Sequence, residues 1–300
     1  MADKSILYES VDSSESRKAL IKLIVVKTLC YLFLIFLTFM SFFFFYLLFI
    51  NTTRSNNQLQ DGGLVLIPSD SFFKNLHNLF TSFKGEFNAI TGLKNSLIVA
   101  LGSSLLTCYF SALTAYGIWA YDFKLKKAAE VFILAIMMIP SQLSSVGFYQ
   151  IAIRYGLRNK LWLLIIPSIA APATFFYMIQ YLRSTVSKEL IEASRMDGSN
   201  EFMTFNRIVL PIMKPALAVQ FIFSFVGSWN NLYMPSLLLS NKDKKTLPIM
   251  INALSSTSWG SKDLGCIYMA IFLSIIPVVI VYIFLSRFII KGVTAGSVKG

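Results

Sequence analysis

Polar and apolar positions in this chain are segregated into long blocks. Six stretches carry no Asp, Glu, Lys, Arg or His: 28–50, 95–121, 131–153, 161–182, 215–241 and 264–286. Each holds at least 22 residues, and a helix that crosses a bilayer needs about 20. The pattern predicts an all-α membrane protein with six transmembrane helices. A seventh uncharged run, 246–261, is shorter and polar, with Asn252 and five Ser or Thr from Ser255 to Ser261. It is expected to be an outside loop or a short interfacial helix. The longest loop, 51–94, opens with a polar stretch to Gly63. Phe72, Phe73, Leu76, Leu79, Phe80 and Phe83 then recur at helical spacing, which predicts an amphipathic helix. His77, the only histidine, lies on it, where a lone surface histidine is ordinarily inert.

Composition agrees with that division. The chain is 55% hydrophobic and 14% charged, against about a quarter charged in soluble domains. Six spans put both termini on one side. The blocks on that side, 1–27, 122–130, 183–214 and 287–300, carry 16 of the 27 Lys and Arg, and the opposite side carries 11. Positive charge collects on the cytoplasmic side, so both termini are expected there, although Arg154, Arg158 and Lys160 run against the rule. The net charge of +12 thus reflects topology and anionic lipid. No basic stripe interleaves with aromatics as a nucleic-acid surface would require. The polar tail 1–27 and the length of the first run fit an uncleaved span, not a signal peptide. Cys30, Cys108 and Cys266 lie in or beside the runs, and none is spaced for a metal.

The block between the fourth and fifth runs has a helix–bend–helix pattern. Ser187 is placed to cap a first helix, with Glu189 in its first turn. Gly198 can adopt the left-handed conformation that stops it. Ser199 is the expected cap of a second helix, with Glu201 in its first turn and Phe202, Phe205 and Val209 on one apolar face. Pro211 and Pro215 punctuate the passage into the fifth run. Ala193 and Ser194 are small, so a partner protein could approach that face closely.

Residues 192–211 read EASRMDGSNEFMTFNRIVLP. They resemble the EAA loop of permease subunits from ABC-type importers, where such a loop docks on a separate ATPase. Three further pieces resemble the same family. Asn95-Ser96-Leu97 opens the second run. Ser228-Trp229-Asn230-Asn231 is similar to an element of carbohydrate permeases. The ending from Gly292 to Gly300, GVTAGSVKG, resembles that of the maltose-type inner permease subunit. The likeness extends over 28–300 and departs at Ser194, where alanine is usual.

The resemblance implies a type I ABC importer permease fold in a bacterial cytoplasmic membrane. Its parts would be a cytoplasmic tail over 1–27, a six-helix domain over 28–300, a coupling loop over 184–214 and a cytoplasmic tail over 287–300. It also implies two ABC ATPase subunits, a second permease subunit in a heterodimer, an extracytoplasmic solute-binding protein and a carbohydrate substrate. Coupling to the ATPase would fall on Glu192, Ala193, Ser194, Asp197, Gly198, Ile208, Leu210 and Pro211, with Glu192 meeting a basic residue. Thr294, Ala295, Gly296 and Lys299 would reach the same interface. No cofactor is expected, since ATP and Mg would be bound by the partner. Indeed no G-x-x-x-x-G-K-[ST] phosphate loop occurs.

No carboxylate or histidine lies in any run, which weakens the alternative of an ion-coupled carrier. No nucleophile and base pair suggests an enzyme. Sugars are held by aromatic stacking and by amide or hydroxyl groups. The candidates for the solute pathway are Trp229, Asn230, Asn231, Tyr233, Gln142, Tyr149, Tyr177 and Gln180, each of which could equally be a packing residue. A non-sugar solute remains the other alternative. Pro140, Pro167, Pro172 and Pro277 predict kinks within runs. Gly102, Ser103, Ser104, Ser111, Ala112 and Ala115 predict close helix packing.

Overall fold

The structure, a computed structural model of the chain, describes residues 3–81, 88–256 and 263–297. Those residues contain helices and no strand. In chain order the α-helices are α1 (Asp3–Thr53), α2 (Asn56–Gln60), α3 (Phe72–Thr81), α4 (Ala89–Ala120), α5 (Lys126–Ile136), α6 (Ser141–Arg154), α7 (Trp162–Ile165) and α8 (Pro172–Thr185). There follow α9 (Lys188–Met196), α10 (Glu201–Thr204), α11 (Leu210–Ile212), α12 (Lys214–Trp229), α13 (Tyr233–Leu238), α14 (Leu247–Ser255) and α15 (Leu264–Ser297). A 3₁₀ turn at Ile166–Ile169 joins α7 toward α8, and a π-helical turn at Phe205–Val209 joins α10 to α11.

Four helical stretches are long and apolar enough to cross a membrane: Lys18–Thr53, Ala89–Ala120, Trp162–Thr185 and Leu264–Ile289. Glu201–Ile212 and Lys214–Trp229 pass the same test only when taken together, and an 80° bend separates them. All six sequence runs fall in helix, but the third is not one rod. The ring of Pro140 disfavours helical backbone in the residue before it. The chain tightens there into three-residue turns, with the N–H groups of Met137, Met138 and Ile139 bonded to Leu134, Ala135 and Ile136 carbonyls at 3.0–3.1 Å. The fifth run also breaks, after Trp229, and resumes at Tyr233.

The expected tail over 1–27 is helical from Asp3 and continuous with the first span. At 1.5 Å per residue the 51 residues of α1 extend about 77 Å, well beyond a 30 Å hydrocarbon core. Its apolar side chains between Leu20 and Phe39 are exposed, as lipid-facing groups are. The body grips α1 at its C-terminal end, where Ile50 is buried and the Phe49 ring lies 6.1 Å from Phe72 and 5.9 Å from Phe272.

The amphipathic helix expected after Pro68 forms as α3 and folds over that end, with His77 exposed; Phe83 lies outside the described residues. Asn75 is buried on α3 and donates from Nδ2 to the carbonyls of Thr52 and Arg54, both at 2.8 Å. Those bonds satisfy carbonyls that the last turn of α1 leaves without partners. Gly265 makes the approach possible, because a Cβ there would stand 2.6 Å from Asn75 Oδ1.

The centre of the molecule is α4, packed on α8, α12 and α14. Its small residues do more than allow close approach. Ser103, Thr107 and Ser111 recur every four residues on one face. Their hydroxyls donate to the carbonyls of Leu164, Ser168 and Ala171 at 3.4, 2.9 and 3.5 Å. Pro167 and Pro172 remove backbone donors from the fourth run, and a freed carbonyl inside lipid needs another partner. The face of α4 supplies it at Leu164 and Ser168, whereas the Ala171 carbonyl also accepts from Phe175 N at 2.9 Å. The Asn-Ser pair acts similarly: Asn95 donates to the carbonyls of Asp243 and Lys245 at 2.9 Å, and Ser96 Oγ accepts from Leu247 N at 2.9 Å. The seventh run is a short helix, as one of the two expectations had it. It is packed inward, with Leu247, Ile249, Met250 and Leu254 buried, and does not lie on a surface. Residues 257–262 of that run lie outside the described residues.

Candidate functional site

The block after the fourth run folds as helix, bend and helix. Ser187 has extended backbone at the start of α9, although its side chain makes no cap bond. Gly198 has φ +81°, the left-handed region expected of it. Its N–H bonds the Arg195 carbonyl, and that of Ser199 bonds the Ser194 carbonyl, both at 3.0 Å. This is the Schellman arrangement. It uses up Ser199 as the last residue of the bend, so the cap of α10 shifts to Asn200, whose Oδ1 accepts from Met203 N at 2.8 Å. Ser199 is therefore not the cap.

The two small residues face opposite ways. Ala193 is exposed beside exposed Glu192 and Asp197. Ser194 is buried, donates to the Ile191 carbonyl at 2.8 Å and lies 3.5 Å from Thr204 Oγ1. Its size serves the fit of α9 on α10, and a partner would not reach it. The apolar face of the second helix also differs from expectation. Phe205 and Val209 are fully buried, but Phe202 is 70% exposed. The π turn widens the helix between Phe205 and Val209 and puts the preceding turn out of register. Phe202 and Met196, the latter 88% exposed, give the loop an apolar outer surface. Ile208 and Leu210 are half-buried and Pro211 is exposed.

Polar ties fasten this loop to the end of α4. Arg195 Nε donates to Glu201 Oε1 at 2.7 Å, and Tyr116 OH donates to Glu201 Oε2 at 2.8 Å. Burial disfavours the Glu201 charge, but hydrogen bonds from Arg195, Tyr121 and Tyr116 outweigh it and hold the carboxyl below its usual range. Sequence reasoning placed Glu201 only as a first-turn residue. Its partner Tyr116 stands 85 positions away, and no local pattern reveals it.

A cavity of about 620 Å³ lies between α4, α6, α7, α12 and α13, with Ser144, Ser145, Phe148, Ser228, Asn231 and Met234 on its walls. Of the candidate pathway residues, Asn231 lines it. Tyr233 OH is 3.5 Å from Ser145 Oγ, and the Gln142 carbonyl accepts from the same Ser145 at 2.6 Å. Trp229 does not join them. It is 2% exposed, stacks on Phe225 at 5.6 Å and donates from Nε1 to the Ser274 carbonyl at 3.0 Å. Asn230 faces a smaller cavity of about 320 Å³ with Asn252 and Ser255. Tyr149 packs against the cluster of Ala152, Leu163 and Leu238, and Tyr177 and Gln180 are exposed on α8. Ser144 and Ser145 were missed, and the signal for them was the break at Pro140 beside two adjacent hydroxyls. The last helix runs through Thr294, Ala295 and Gly296, so the expected tail after 286 continues the sixth span. Lys299 lies outside the described residues.

A family model described as "Binding-protein-dependent transport system inner membrane component" matches residues 109–294, more than half of the chain, including the loop and the lining of the larger cavity apart from Val99. The chain belongs to that family. Its members are multi-pass membrane components that work with an ATPase and a solute-binding protein. Two relatives within the family are from Bacillus subtilis (strain 168). The arabinooligosaccharides transport system permease protein AraQ is 32% identical over 298 residues, covering 98% of this chain and 100% of the relative. The melibiose/raffinose/stachyose import permease protein MelC is 31% identical over 208 residues, covering 69% and 75%. Among solved structures, a bacterial ABC transporter involved in the import of the acidic polysaccharide alginate matches with TM-score 0.75. It covers 88% of this chain and 96% of its own at 19% identity. At that identity the likeness bears on fold alone, and it identifies the type I importer permease fold.

Proposed function

We propose that this chain is a membrane-pathway subunit of an ATP-driven importer for an oligosaccharide, working by alternating access. The observation that carries the reading is the rigid loop of α9 and α10. It presents Glu192, Ala193, Met196 and Phe202 as exposed groups, while Ile191, Ser194, Thr204, Phe205 and Val209 are buried against the protein. Small and apolar groups at a tight bend suit a groove on an ATPase, with Glu192 available to a basic residue there. Two such ATPase subunits on the cytoplasmic side would serve this chain and a different sister permease, and a solute-binding protein would deliver from outside. ATP and Mg belong to the ATPase, and this subunit is non-catalytic. Both termini are cytoplasmic, on the same side of the membrane as the coupling loop.

The carbohydrate reading rests on the relatives named above for oligosaccharides and on the chemistry of the larger cavity. Its hydroxyls (Ser144, Ser145, Ser228), the Asn231 amide and the Phe148 ring are the groups that hold sugars without charge. The cavity lies where two apolar runs are interrupted, which brings polar positions to membrane depth. Reconstitution tests the reading. Vesicles containing this chain, its sister and the ATPase should take up labelled oligosaccharide from the loaded binding protein when ATP is enclosed, and should do so without an ion gradient. Uptake that needs a proton or sodium gradient while ATP is held constant would overturn it. A cysteine at Asn57 should label from outside in intact cells, and one at Asn200 should not.

A further inference from the structure

The ties around Glu201 form a continuous path from the loop to the cavity. One carboxylate accepts Arg195 from α9 and Tyr116 from α4, while Glu201 itself belongs to α10. The Arg195 guanidinium also lies 5.3 Å over the ring of Tyr121, at the end of α4. About two turns before Tyr116 on α4, Tyr109 OH donates to Asn206 Oδ1 at 3.3 Å. The fully buried Phe205 ring sits 5.7 Å from Tyr109 and 5.4 Å from Tyr116. From these tyrosines α4 runs unbroken to Val99, which lines the larger cavity. The span from Tyr116 to Val99 is about 26 Å at 1.5 Å per residue. The loop's covalent route to the same cavity, through α12, crosses the 80° bend at Met213, and a bend between short helices yields before a straight helix does.

We infer that Glu201 is a positioning residue that makes the docking loop and α4 move as one body, so that motion of the ATPase reaches the solute cavity through α4. The inference rests on the ATPase-docking reading of the loop. The buried Phe205 would keep the loop and helix in register, and the carboxylate would prevent rotation of one against the other.

The test uses the complete transporter. Tyr116→Phe deletes a single hydroxyl and leaves the ring against Phe205; Glu201→Gln removes the charge at constant shape. In both variants the ATPase should co-purify as with the parent, and hydrolysis without solute should be unchanged. Stimulation of hydrolysis by the loaded binding protein should fall about tenfold, within the usual range of a coupling between two sites. The double variant should be no worse than the worse single one, because both remove one link. Parental stimulation in both variants would overturn the inference. So would loss of the ATPase from Tyr116→Phe, which would mean that the tie shapes the docking face and does not transmit motion. Failure of the docking reading itself looks different: Ala193→Trp would then leave the ATPase bound. If Glu201→Gln folds poorly, Tyr116→Phe still decides the matter.

Discussion

Gly198 offers a clean measurement of how much the bend matters, because its cost can be separated from steric clash. Its φ of +81° is a conformation that L residues resist, and a Cβ built there meets nothing within 4 Å. A side chain therefore has room but the wrong backbone. Holding an ordinary residue in that region costs about 1–2 kcal/mol, and a β-branched residue costs more because its side chain is also restricted. Both Schellman hydrogen bonds stay available at 3.0 Å, so the penalty falls on the bend alone. If docking requires the bend, the whole penalty appears in the affinity for the ATPase. A penalty of 1.4 kcal/mol is a factor of about ten in Kd. The expected order of affinity is Gly, then Asn, then Ala, then Val, since Asn tolerates the left-handed region better than Ala. The assay is binding of the separate ATPase to the reconstituted permease pair. Equal Kd values across the series would refute the argument, and so would Asn binding more weakly than Val.

Neighbouring small residues should respond oppositely. Ala193→Trp should abolish ATPase association and leave the thermal stability of the permease unchanged, whereas Ser194→Leu should cost about 1–3 kcal/mol of stability by overpacking a buried site, as thermal denaturation in detergent would show. Within the W-N-N element, Asn231→Ala should weaken oligosaccharide transport and cost about 1 kcal/mol of stability, because its Oδ1 also accepts from Met234 N at 3.3 Å. Trp229→Phe should lose about 1 kcal/mol through the bond to the Ser274 carbonyl and retain the parental solute preference. Glu201 has a depressed carboxyl, so its tie contributes fully above the ordinary glutamate range and is lost as pH falls through the lowered folded value. Protection of the loop amides, taken relative to their intrinsic exchange rate at each pH, should therefore fall only in acid, and Glu201→Gln should abolish that dependence.

The one-dimensional pattern contained most of the architecture because lipid leaves the chain little choice. Charge-free runs of 22 or more residues have no other stable place, and the amphipathic spacing of Phe72 to Leu79 could form only one helix type. Gly198 was legible for a similar reason, since helix, stop and cap signals are local. What escaped was non-local. Nothing within a few residues of Ser194 says that it faces Thr204, or that Trp229 turns toward Ser274 and away from Asn231. Both depend on which neighbour α9 and α12 pack against. The third run looked like a full span because hydropathy does not register the missing N–H of Pro140. The cap position moved from Ser199 to Asn200 because the bend consumed one more residue than a simple stop would.

These non-local features converge on α4, for a reason that can be traced to backbone satisfaction. The membrane segments around it are interrupted, at Pro140, at Pro167 and Pro172, and after Trp229. Interruptions expose backbone groups that water cannot reach, and only a neighbour with polar side chains at the right spacing can bond them. The hydroxyls at Ser103 and Thr107 do this for the fourth run. A helix that holds its broken neighbours in this way cannot itself break, and α4 stays continuous for 32 residues. Its continuity leaves it as the straight element that touches the cavity with Val99 and the loop with Tyr109, Tyr116 and Tyr121. Breaks that open a cavity with hydroxyl and amide groups among apolar ones thus sit beside an unbroken helix, and that helix is then the straight connection between the cavity and the loop.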